Sequence, residues 1–111
     1  MVGGRLSQKA VTDMFYDMCK SANVPTDRSR RGSKTKFRTG CLQMGGAYGR
    51  IRVEYEYPQS GAINSLSGYL NAREMYMWLG NFNPRAVYRS FRKRDKDFLA
   101  SQARRRAAQG R

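Results

Sequence analysis

From Ser7 onward, Val11, Met14, Phe15, Met18 and Ala22 recur at steps of three and four residues, the spacing that lines one face of an α-helix. Ser7 can cap the first turn, Asn23 suits the left-handed position after the last, and Val24-Pro25 cannot continue a helix. The spacing predicts a helix over 8–22 with its Met and Phe face in the core. Pro25 to Thr35 has no aliphatic residue and no period, so nothing in it repays the entropy of ordering. It reads as a mobile basic loop.

The period then drops to two. Gly49, Ile51, Val53, Tyr55 and Tyr57 alternate with Arg50, Arg52, Glu54 and Glu56, which predicts a strand with one buried and one wet face. Phe37, Thr39 and Cys41 can share the buried face if the turn between the strands has odd length. A three-residue loop at Gly45-Gly46-Ala47 achieves this by pairing Cys41 with Ile51, Thr39 with Val53 and Phe37 with Tyr55, whereas a two-residue Gly-Gly turn would set Arg38 against Val53. The three-residue hairpin is therefore the expectation. Pro58 to Gly61 reads as another turn and 62–67 as a short third strand, because an isolated hairpin is marginal in water.

Asn71 followed by Glu74 imitates a capping box and opens a helix whose apolar stripe is Ala72, Met75, Tyr76 and Leu79, closed near Gly80. Trp78 lies off the stripe and is expected to pack against another element. Asn83-Pro84 starts a third helix, with Val87, Tyr88, Phe91 and Phe98 to one side. Arg85, Arg89, Arg92 and Lys96 fall within about 60° of one another on the other side, at ~100° per residue. Beyond Ala100 the sequence SQARRRAAQGR has no large apolar residue and reads as a basic tail, frayed when free. The fold class is α+β: an N-terminal helix, an antiparallel β-hairpin or three-stranded meander, and two C-terminal helices with a basic tail. Residues 1–99 form the single domain, with the loop at 25–35, and 100–111 form the tail.

Charge sharpens this picture. The 111 residues carry 22 Lys and Arg against 8 Asp and Glu, a net +14. Residues 28–38 contain six cations and no acid, and 85–111 contain ten cations against Asp95 and Asp97, which together account for the whole excess. A neutral scaffold bearing two basic appendages implies an anionic partner. The candidate phosphate contacts are Arg28, Arg30, Arg31, Lys34 and Lys36 in the loop, Arg85, Arg89, Arg92 and Lys96 on the helix, and Arg104, Arg105 and Arg106 in the tail. No acid interrupts the helix stripe, where an ordinary solvent face would mix signs. Tyr48 and Tyr69, beside glycines at element ends, are candidates for stacking on unpaired bases.

The same composition excludes most catalytic chemistry. Histidine is absent, so Cys19 has no obvious base to activate it, and two cysteines cannot build a disulfide scaffold or a four-thiolate zinc site. Gly45-Gly46-Ala47-Tyr48-Gly49 lacks the spacing of a phosphate-binding loop. Glu54 and Glu56 share a sheet face with Arg50 and Arg52, so ion pairing accounts for them better than an acid/base site. A non-enzymatic protein without cofactor or metal is expected. No RNP signature, zinc-finger spacing or GXXG clamp is present, so binding should be dominated by the backbone of DNA or RNA. No apolar run reaches the roughly 20 residues of a membrane span or the ~7–15 of a secretory signal, and the expected location is cytoplasmic, without membrane contact.

The arrangement Gly45-Gly46-Ala47-Tyr48-Gly49-Arg50-Ile51-Arg52-Val53, a variable turn, then Asn71-Ala72-Arg73-Glu74-Met75-Tyr76 with Leu79, resembles small phage-encoded accessory proteins of unassigned function. The resemblance spans residues 45–79 and leaves both basic appendages outside. It implies a virus or mobile element acting in a bacterial host cytoplasm and assigns no functional residues. Two readings follow from the charges: direct binding of nucleic acid, or an inhibitor or adaptor that occupies a nucleic-acid site on a host nucleoprotein such as a CRISPR or restriction effector. A ribosomal or virion packing role uses the same basic segments.

Overall fold

The computed structural model describes residues 6–28, 40–58 and 62–109. Helix α1 (Gln8–Ser21) starts at Ser7, whose hydroxyl accepts from the Ala10 amide at 3.0 Å, and is followed by Asn23 at φ 60°. Three antiparallel strands, β1 (Cys41–Ala47), β2 (Arg50–Glu56) and β3 (Ile63–Ser65), lie side by side in that order. Helix α2 (Ala72–Leu79) carries the full capping box between Asn71 and Glu74. Helix α3 (Pro84–Gln109) opens with the Asn83 side chain accepting from the Ala86 amide at 3.1 Å. The α+β architecture is thus the one expected, third strand included.

The hairpin register differs from expectation. The turn is Tyr48-Gly49, with φ of 57° and 70°, so β1 runs on to Ala47 and the pairs are Leu42 with Tyr55, Met44 with Val53 and Gly46 with Ile51. Cys41 stands opposite Glu56 instead of Ile51, and Phe37 and Thr39 lie outside the described residues. Positive φ at both central residues matches the right-handed twist of the strands, which a turn placed on the glycine pair was not needed to supply. The observed register turns Leu42 and Met44 inward, where the expected one would have placed Cys41 and Gln43. Gly45 remains necessary for a different reason: a Cβ there would lie 2.5 Å from the Glu54 carboxylate.

All three helices contribute to one core against one sheet face. Val11, Phe15 and Cys19 of α1, Met75 and Leu79 of α2, and Phe91 of α3 surround Leu42, Ile51, Val53 and Tyr55. Each such side chain contributes roughly 1.5–3 kcal/mol by leaving water. Trp78 packs as expected, stacked on Phe82 with ring centroids 4.8 Å apart. Tyr76 departs from the predicted stripe and is exposed. Pro25 to Arg28, the start of the expected loop, is anchored: Thr26 is buried and bridges to Leu42, whose amide donates to the Pro25 carbonyl at 3.0 Å.

Helix α3 meets the sheet through Phe91, stacked on Tyr55 at 4.2 Å, and through buried Asp95, which accepts the Tyr55 hydroxyl at 2.5 Å. Phe98, expected on the core side, is 61% exposed; with Leu99 and Gln102 it lines an open groove against Tyr57 and Pro58, just beyond β2. Helix α3 continues through residues 100–109, where Ala, Gln and Arg favour helix with little apolar packing. Among the described residues no helix is long and apolar enough to cross a membrane. Tyr55→Phe should strand the Asp95 carboxylate without its donor and lower stability by about 1–3 kcal/mol, several degrees in melting temperature. Truncation after Leu99 should leave the melting temperature within a few degrees.

Candidate nucleic-acid interface

The apolar stripe of α3 dictates where its cations point. Val87, Tyr88, Phe91 and Asp95 turn towards the sheet and α1, and Arg85, Arg89, Arg92 and Lys96 share a neighbouring flank of the helix, roughly 100° round from them. The stripe spans about 16 Å of helix, the axial length of four or five phosphates of one B-form strand. Its members are not equivalent. Arg85 donates from Nε and Nη2 to the Ala22 carbonyl at 3.4 and 3.3 Å, so it caps the end of α1 and fixes the start of α3. Arg92 is half-buried near the Tyr55 hydroxyl. Arg89 and Lys96 are exposed, and none of the four has an ion pair among the described residues, where the pairs are Lys9–Asp13, Arg28–Asp13 and Arg52–Glu54.

The remaining candidates do not join this stripe. Arg28 lies over the Tyr16 ring at 3.8 Å and 3.6 Å from Asp13, so its charge is partly answered within the fold. Arg30, Arg31, Lys34 and Lys36 lie outside the described residues. Arg104, Arg105 and Arg106 are consecutive on a helix, hence ~100° apart, and surround it instead of forming one face. Arg105 and Arg106 fall on the same side as exposed Phe98 and Leu99, and Arg104 donates to the Ala100 carbonyl at 3.4 Å.

Tyr48 and Tyr69 are brought together, as a pair remote from the stripe. Leu70 exchanges backbone hydrogen bonds with Ile51 at 2.7 and 3.0 Å, which lays Tyr69 beside the start of β2 and against the hairpin tip. The two rings meet edge to face, with centroids 6.1 Å apart. Gln8, at the start of α1, donates to the Gly49 carbonyl at 2.5 Å, while Arg85 sits at the other end of the same helix. The ~20 Å length of α1 therefore separates the tip from the base of α3.

Glu54 makes the ion pair with Arg52 that its sheet face predicted. Its burial was not predicted: on a face expected to be wet it is only 5% exposed, and it also accepts from Gln43 at 2.9 Å. Arg52 in turn places its guanidinium 4.6 Å from the Tyr69 ring centre. Asp95 could have been found as an acid at helical spacing from Phe91, on the apolar side. Among the described residues no three Cys, Asp or Glu gather as a metal site would require. Burial pushes the Cys19 thiol up to about 12, so it carries no thiolate near neutrality.

Burial likewise raises the Tyr16 and Tyr55 hydroxyls, the latter also through its hydrogen bond to Asp95. For all three groups the unfolded chain releases its proton first, so each contributes stability that is complete below its unfolded value and is lost as pH rises; for Cys19 that window runs from 9.0 to about 12. Melting temperature should fall progressively above pH 9 and the fall should diminish in Cys19→Ala, as read by circular dichroism. Comparison with protein-family models, curated proteins and solved structures finds no match.

Proposed function

We propose that this chain is a non-enzymatic nucleic-acid-binding accessory protein that contacts the phosphate backbone through the outer face of α3. The supporting observation is the stripe of cations carried by a helix that Phe91 and Asp95 lock to the core. Fixed cations lose less side-chain entropy on contact than cations on a free chain, and unanswered ones have no internal pair to break. The cations in residues 28–38 and 104–106 add long-range attraction without setting a register.

A second reading is an inhibitor or adaptor, phage-encoded as the resemblance implies, that occupies a nucleic-acid site on a host nucleoprotein. Arginines spread over more than one face of the last turns of a long helix favour insertion into an enclosed anion-binding channel, where several faces meet a wall. Free nucleic acid separates the two, since only the first reading requires stable binding without a protein partner.

If ~6 phosphates of duplex DNA are engaged, the logarithm of the binding constant should fall against the logarithm of salt with a slope of about −5. Replacing Arg89 and Lys96 together by Gln should reduce that slope by about two units while leaving the fold intact. The paired control Lys20→Gln and Arg73→Gln, on α1 and α2, should change it far less. A slope near zero, or strong preference for one sequence, rejects backbone binding.

A further inference from the structure

We propose that the β1–β2 hairpin tip is a separate stacking site for one unpaired nucleobase of a single-stranded nucleic acid, with the Tyr48 ring as platform. This rests on the nucleic-acid reading above and names the form of nucleic acid that the protein prefers.

The fold gives no reason for tyrosine at position 48. The turn requires a left-handed residue there, with φ of 57°, a conformation that asparagine or glycine adopts readily and an aromatic residue does not. The ring is 93% exposed, so it gains almost nothing from burial in exchange for that strain. A large apolar plane held in water in a disfavoured conformation is explained by what it meets outside the chain.

The surroundings flank the ring on one edge and supply charge. Tyr69 abuts Tyr48 edge to face and is itself held by the Leu70–Ile51 backbone pair and by the Arg52 guanidinium. Arg52 is set by Glu54, which Gln43 orients from the neighbouring strand. Gln8 ties the carbonyl of Gly49 to α1, so the turn is braced on its other side. Exposed Arg50 follows directly, within reach of the phosphate next to a stacked base. A single ring on a narrow tip can take the face of a base only where that base has left its own stack, which excludes the interior of an intact duplex.

The test compares a single-stranded oligothymidylate with an abasic strand of equal length, which keeps every phosphate and lacks every base. Wild-type protein should bind the base-bearing strand roughly tenfold more tightly at moderate salt. Tyr48→Phe should keep that preference, because stacking uses the ring. Tyr48→Asn should bind both strands alike, at the level of the abasic strand, with a melting temperature at or above that of the wild type. Equal binding of both strands by the wild type, or a preference that survives Tyr48→Asn, overturns the stacking site and leaves backbone binding standing if the salt dependence stays steep. Failure of both strands to bind at low salt overturns both.

Discussion

Tyr55 is where the sheet acquires its third helix. Its ring lies flat against Phe91 and its hydroxyl donates to Asp95, one turn further along α3, so a single side chain of β2 grips that helix at two levels. A stack alone would allow α3 to rotate about its axis; a buried hydrogen bond to the next turn does not, because turning the carboxylate away would leave it without a donor. Arg85 adds a third point by capping α1. The azimuth of the whole helix follows from these contacts, and with it the direction in which Arg89 and Lys96 face.

The same attachment shapes the charge of α3. Of the two acids on that helix, Asp95 is buried in the joint with the sheet, so it does little to offset cations facing solvent. Past Asp95 the helix continues to Gln109, and Phe98 and Leu99, on the side that carries the core contacts, stand exposed across a groove from Tyr57 and Pro58. A helix that outlasts its packing keeps its form through alanine, glutamine and arginine, residues that lose little by being helical. The projection is thus a property of composition as much as of tertiary contact.

Much of the fold was legible because it rests on local rules. Ser7, Asn23, the Asn71–Glu74 box and Asn83-Pro84 each mark a helix end through a backbone need that one side chain meets, and all four stand where those needs arise. The hairpin register was not legible, because two glycines advertised a turn that the strand in fact passes through. Gly45 is small to clear the Glu54 carboxylate, a contact between strands that no local rule encodes. The α3 stripe could be read from periodicity, and the meeting of Tyr48 with Tyr69 could not, since it depends on the chain returning past Ile51 after β3.

The two candidate surfaces differ in what fixes them. The stripe is oriented by the core, through Tyr55 and Asp95, and any change that loosens that joint should blur its geometry without touching a cation. The tip is oriented by polar links on the far side of β2, from Gln43 through Glu54 and Arg52 to Tyr69, and shares no described side-chain contact with the joint. Alternation along one strand separates them: Tyr55 points inward to hold the helix, and Glu54 points outward to hold the ring. With the length of α1 between them, one strand of the sheet braces two surfaces that respond independently to mutation, because residues far apart with no shared partner combine additively.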